Sequence, residues 1–200
     1  MPDATRRAVL AAATAGLAGC LGTPGSDPTG DGDGDGGGPL DGDATQVGDL
    51  SLSSPEFDDG GRIPARYGYD RENVNPPLRV SGVPDGAASL ALVVDDPDAE
   101  PVAGKVWVHW LVWNVPPDAR EIPADWDPGT AGAVEGENDF GEVGYGGPAP
   151  PDEPHGYRFK LYALDSVLDL GSGASRHEVG GAASGHVVAR TQLTGTYAPQ

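Results

Sequence analysis

Asp95, Asp96 and Asp98, the imidazoles of His109 and His155, and the phenol of Tyr157 are the residues in this chain whose types and spacing could do chemistry. "DDPD" (95–98) closes an apolar run, His109 stands inside another, and His155 and Tyr157 follow the breaker-rich "GGPAPPDEP" (146–154). Each has a plain structural reading. Asp-Pro-Asp is a common turn, because Asp bonds its own backbone and Pro presets φ. A lone interior histidine is often a satisfied core residue, and glycine-proline loops are often only loops. Together they describe something more specific. Carboxylates at one strand end and imidazoles near neighbouring strands could share one polar pocket. An imidazole with pKa near ~6.5 can donate to an oxyanion and gain charge as it binds. A carboxylate beside it can orient the ring or receive an ammonium. A glycine-rich turn can offer unobstructed backbone N–H groups to an anion.

Catalytic alternatives carry less. Two His and two Asp could bind zinc or support hydrolysis, but the chain has neither a G-x-S-x-G elbow nor an H-E-x-x-H pair. Its single cysteine, Cys20, permits no intramolecular disulfide and no thiolate cluster. The expectation is a non-enzymatic protein without cofactor or metal, and an Asp/His hydrolase ranks behind it.

These groups need strands to hold them. "SLALVVDD" (89–96) reads as a strand buried on both faces, its aspartates marking the exit from the core. "KVWVHWLVWNV" (105–115) is rich in β-branched and aromatic residues. Counting by twos puts Trp107, His109, Leu111 and Trp113 on one face, opposite Val106, Val108, Trp110 and Val112. "YRFKLYALD" (157–165) turns Tyr157, Phe159, Leu161 and Ala163 to one side. Shorter candidates are 50–53, 65–69 and 78–80, separated by turn chemistry. A helix is predicted over 174–184, and "HVVARTQLTGTY" (186–197) closes the chain as a strand. Strands dominate without crossover helices, which predicts a mainly β, antiparallel β-sandwich with one or two short helices, chiefly near the C-terminus.

The chain has 200 residues, enough for one domain with a real core. Its net charge is −19, from 31 acidic and 12 basic residues, of which only Lys105 and Lys160 are lysines. Such a surface repels nucleic acid and anionic lipid, so neither is an expected partner. It matches a protein adapted to concentrated salt, in which the Debye length shrinks to ~3 Å and an anion can still reach a pocket with its own positive groups.

The first 45 residues read as an address and a tether. "TRRAVLAAATAGLAGC" pairs Arg6 and Arg7 with an 11-residue apolar run, too short to span a bilayer. It resembles a twin-arginine lipoprotein signal peptide (1–19), with Cys20 as the lipid-modified residue. Residues 21–45 contain nine Gly, three Pro and six Asp. Asp31, Asp33, Asp35 and Gly36 imitate half of an EF-hand loop, but Gly42 stands where a bidentate Glu is required. Residues 20–45 are therefore expected to form a disordered, lipid-anchored linker, followed by a folded domain from 46 to 200. The predicted location is the extracytoplasmic face of the cell membrane, with contact through the lipid anchor only.

The order Asp-Pro-Asp-Ala, Trp-x-His-Trp-x-Val-x-Asn, Gly-Pro-x-Pro-Pro and His-x-Tyr-x-Phe, with "NPPL" at 75–78, resembles the phosphatidylethanolamine-binding protein family in its Raf-kinase-inhibitor-like prokaryotic branch. The likeness covers residues 47–198. It implies a β-sandwich with a small surface pocket for phosphate-like anions or phosphorylated headgroups, and a monomer or homodimer. The implied ligand residues are Asp96, Asp98, His109, Gly147, Pro148, His155 and Tyr157. It also implies an alternative partner, a protein target such as an extracytoplasmic protease. Glu100 is inserted before Pro101, Gly156 replaces a common Arg or His, and Ala149 stands where many prokaryotic members have Cys.

Overall fold

The computed structural model describes residues 38–199. The predicted signal peptide, Cys20 and the EF-hand-like stretch lie outside the described residues. Among the described residues, nine strands form two sheets. One has three strands in the order β1 (Ser51–Ser53), β3 (Leu78–Ser81), β6 (Glu121–Ile122). The other has six, in the order β2 (Gly61–Arg62), β9 (Val187–Tyr197), β8 (His155–Leu164), β4 (Ser89–Asp96), β5 (Trp107–Val115), β7 (Val134–Glu135). All pairings are antiparallel except the two-residue β2–β9 contact. Two short helices complete the set, α1 (Glu100–Ala103) and α2 (Arg176–Ala183).

The mainly β character is as expected, and α2 falls within the predicted helical stretch. Its Ser175 cap and Glu178 satisfy one another's backbone amides in a capping box, which explains why the helix starts there. The other short helix lies in mid-chain, away from the C-terminal region where helix is chiefly expected. It continues a 3-10 turn over Pro97–Ala99, so the inserted Glu100 is absorbed as the start of a helical turn that Pro101 tolerates near its N-terminus. The strand expected over 65–69 is instead a 3-10 turn at Ala65–Tyr67, preceded by Pro64.

A two-layer description is incomplete, because the large sheet is covered on both faces. One face shares a core with the small sheet, where Leu90, Leu92, Val94, Trp110, Tyr157, Phe159 and Leu161 meet Leu52, Leu78, Val80 and Ile122. The other face packs Ala91, Val93, Leu111, Trp113 and Tyr162 against Val179 and Ala183 of α2 and against Leu40 and Ala44. Burial on both sides accounts for the unbroken apolar run of β4.

Leu40 and Ala44 also correct the expected linker boundary at 45/46. Both are buried, and the chain around them is bonded to the sheet: Ala44 N–H donates to Gln192 Oε1 (3.0 Å), and Lys160 Nζ donates to the carbonyls of Leu40 (2.7 Å) and Gly42 (3.1 Å). Glycine and proline content predicted a spacer, but apolar residues spaced four apart let this segment bury side chains while its carbonyls found donors.

Candidate functional site

Asp95 and Asp96 do not mark the exit from the core; they are 0% and 3% exposed. Consecutive residues of β4 send their carboxylates to opposite faces of the sheet. Asp95 accepts from Arg158 Nε (2.7 Å) and Nη2 (3.0 Å) and from Lys160 Nζ (2.7 Å). This bidentate, triply charged cluster was not anticipated, although the alternation of β8 placed Arg158 and Lys160 on the face opposite Tyr157. A charged pair within an apolar strand beside an Asp-ended strand was the available signal.

On the other face, Asp96 receives His155. Nδ1 of the imidazole donates to Asp96 Oδ2 at 2.7 Å, and Asp96 Oδ1 accepts the Ala99 amide at 3.1 Å, capping the turn that leads into α1. His155 Nε2 lies 3.3 Å from Asp152 Oδ1. A carboxylate faces each ring nitrogen of His155, an arrangement that favours the imidazolium, which can donate to both. Burial pushes its pKa down, but the hydrogen bonds and charges of Asp96 and then Asp152 outweigh this and hold it above the usual histidine value.

His109 has a different state and a different cause. Val94 pairs with Trp110, but Asp95 pairs with Val108, so His109 is the extra residue of a β-bulge. The predicted strict alternation therefore fails there. Leu111, Trp113 and Val108 pack on the α2 side, while His109 turns to the opposite side, edge-on to Tyr157 (centroids 5.1 Å) and Phe140 (5.4 Å). Bulges commonly re-aim a side chain in this way. His109 Nδ1 lies 2.8 Å from the Gly146 carbonyl, which can only accept, so Nδ1 carries the proton. Burial holds the pKa of His109 below the usual value, against the Gly146 carbonyl and the Asp96 carboxylate. Its neutral form leaves Nε2 as an acceptor.

These groups meet at a cavity of about 230 Å³. Its polar lining comes from Asp96, His109 and His155; Trp107, Phe140, Val102, Ala103 and Pro151 supply apolar walls. A water occupies ~30 Å³ of the liquid, so the space exceeds what one tetrahedral oxyanion fills.

Of the predicted ligand residues, Asp96, His109 and His155 line the cavity, whereas the other four stand behind it or brace it. Asp98 Oδ2 accepts the Gly156 amide at 2.7 Å, tying the turn after β4 to the start of β8. Tyr157 is fully buried behind His109, and its hydroxyl has no hydrogen-bond partner among the described residues. Burial pushes its pKa up. Pro148 accepts from the Tyr69 amide (3.0 Å).

Gly147 corrects the idea of a free amide nest. Its N–H donates to Asn73 Oδ1 (2.8 Å), and that of Gly146 donates to the His109 carbonyl (2.8 Å). Both glycines are required by close approach. A Cβ on Gly147 would lie 2.3 Å from the Tyr67 carbonyl oxygen, and one on Gly146 would lie 2.6 Å from the Phe140 ring. Phe140, missed from the sequence because it sits in an irregular glycine-flanked loop, stacks on Tyr69 (4.2 Å) and is edge-on to Trp107 (5.4 Å).

The phosphatidylethanolamine-binding protein family profile matches residues 53–198, a span that includes every cavity-lining residue. The chain belongs to the phosphatidylethanolamine-binding protein family. A UPF0098 protein of Methanothermobacter thermautotrophicus is 49% identical over 151 residues, covering 74% of this chain and 98% of the relative. One from Pyrococcus horikoshii is 43% identical over 143 residues, 68% of this chain and 70% of the relative. Among solved structures, a phosphatidylethanolamine-binding protein homolog from Chlamydia trachomatis is similar with a TM-score of 0.69 at 38% identity, covering 74% of this chain and 96% of the other. E. coli YbcL, described as a member of the mammalian family, also gives 0.69, at 34% identity, with 76% and 99% coverage. In this phosphatidylethanolamine-binding protein fold, the cavity lies where β4, β5 and β8 end or bulge together.

Proposed function

We propose that the domain is a non-enzymatic binding module whose cavity takes a small phosphate-like anion or a phosphorylated headgroup. The observation that carries this reading is the pairing of two almost fully buried imidazoles, His109 and His155, as walls of one otherwise apolar cavity. His155 brings positive charge and a donor at Nε2. His109 can take up a proton at Nε2 when an acid or anion arrives, because its Nδ1–H is already directed to a carbonyl. Membership in a family named for a phospholipid headgroup supports the same ligand class. Binding is favoured over an Asp/His hydrolase because Asp96, the carboxylate of the lining, already accepts from His155 and from the Ala99 amide.

Titration with inorganic phosphate or phosphoethanolamine, followed by NMR of the histidine side chains, tests the reading. The His109 and His155 resonances are expected to shift in the wild type, with the response abolished in His155→Ala. Unchanged wild-type resonances would overturn it.

A further inference from the structure

Asp152 is the one carboxylate at this site held by little except the imidazole it faces. Its side chain is 57% exposed, and its local restraint is the Glu153 amide donating to Oδ1 at 2.8 Å. Asp96, on the other ring nitrogen of His155, is buried and bonded at a shorter 2.7 Å. One partner is thus built into the core, while the other is exposed to solvent and follows Pro151, a residue of the cavity wall, in the chain.

The backbone amides near the cavity are committed. The amides of Gly146, Gly147, Gly156 and Ala99 serve the His109 carbonyl, Asn73, Asp98 and Asp96 respectively. His109, while neutral, offers only an acceptor. Trp107 Nε1–H in the wall and the buried Tyr157 hydroxyl are neutral donors without a partner among the described residues, and His155 Nε2 is the donor that can carry charge; a carboxylate oxygen already sits on it at 3.3 Å. A carboxylate and a phosphate oxygen make the same charge-assisted contact to an imidazolium.

We propose that Asp152 is an internal competitor for the pocket: its carboxylate holds on His155 Nε2 the position an incoming oxyanion takes, and the ligand binds by displacing it. This rests on the reading of the cavity as an anion site. Displacement needs only side-chain rotation into solvent, since Pro150, Pro151 and Pro154 keep the loop backbone stiff. It also removes one of three nearby negative charges, with Asp96 and Asp98, that would oppose the anion. Asp152 thereby sets affinity: a weak ligand leaves the carboxylate in place, and a dianion that bonds His155 more strongly evicts it.

Isothermal titration calorimetry of the full chain with inorganic phosphate at neutral pH tests this in wild type, Asp152→Ala and Glu153→Gln. Glu153→Gln removes the same charge one residue away, without a contact to His155. Asp152→Ala is expected to tighten phosphate binding by about fivefold or more, the factor set by one contact-distance charge repulsion in water. Glu153→Gln is expected to stay within about twofold of wild type, because exposed charges at longer range are screened. Equal gains in both variants, or no gain in Asp152→Ala, overturn the competitor role and leave the anion site standing. Absence of phosphate binding in all three proteins overturns the anion reading itself, and the competitor with it.

Discussion

His155 Nδ1 donates to Asp96 Oδ2 across 2.7 Å with both side chains almost wholly excluded from solvent. The pair joins the last residue of β4 to the first of β8, although these strands are ladder-paired only from Ser89 to Asp95. It therefore closes the sheet at the point where backbone pairing stops, and it holds the His155 ring at the cavity.

The two cavity imidazoles are expected to titrate in opposite directions from the ordinary histidine value. His155, raised, contributes stability that is fully present below the unfolded value of ~6.5 and lost as pH rises through its folded pKa. His109, lowered by burial, contributes stability present above ~6.5 and lost as pH falls through the interval down to its folded pKa. NMR pH titration of the side chains checks this, with His155 charged at pH 6.5 and His109 neutral. Asp96→Asn is expected to bring the His155 value down. Coincident titration of both rings in the wild type would contradict the assignment.

Gly147→Ala is expected to destabilise the domain more than Gly146→Ala. The added methyl at 147 meets the Tyr67 backbone, whereas at 146 it meets the edge of the Phe140 side chain. Overpacking of this kind costs about 1–3 kcal/mol, more when the obstacle is main chain. Chemical denaturation ranks the two. Gly146→Ala should also weaken ligand binding, because Phe140 is a wall of the cavity.

Removal of the Asp95 carboxylate is expected to be severe. Asp95→Ala leaves Arg158 and the fully buried Lys160 without their shared counter-ion, and breaking such buried pairs costs about 3–5 kcal/mol. Lys160→Met spares the Arg158–Asp95 pair but withdraws the donor from the Leu40 and Gly42 carbonyls. Hydrogen exchange should then accelerate at the amides of Ala44 and Val47, which bond to Gln192 and the Arg190 carbonyl, with little change in β4. Equal protection in both proteins would show that the apolar contacts of Leu40 alone hold the segment.

We propose that the chain is exported and held at the membrane through Cys20. Cys20→Ser is expected to move the protein from the membrane fraction to the soluble extracytoplasmic fraction. Replacement of Arg6 and Arg7 by Lys is expected to leave it inside the cell. Fractionation and immunoblotting distinguish these outcomes. Unchanged membrane retention of Cys20→Ser would refute lipid anchoring at that residue.

Much of this was legible as local pattern. The alternation in β8 correctly sends Tyr157, Phe159, Leu161 and Ala163 to one core, and the continuous apolar run of β4 correctly marks a strand covered on both sides. Asp96, His109 and His155 were identifiable as polar interruptions of apolar strands, and they do meet. Their separation from Asp98, Gly147, Pro148 and Tyr157 was not legible. Whether a residue lines a cavity or braces its wall depends on neighbours remote in the chain, such as Asn73 beneath Gly147.

By itself, the sequence determined what period and composition encode: a mainly β domain, its principal strands, and three titratable groups that an apolar strand would exclude unless they were paired. Only the tertiary structure decided which way those groups face. One extra residue at the His109 bulge reverses the expected side relative to Leu111 and Trp113, and the paired strands carry Asp95 and Asp96 to separate partners on opposite faces. The protonation states follow from that geometry, because a buried ring between two carboxylates keeps its proton and a buried ring against a carbonyl does not gain a second.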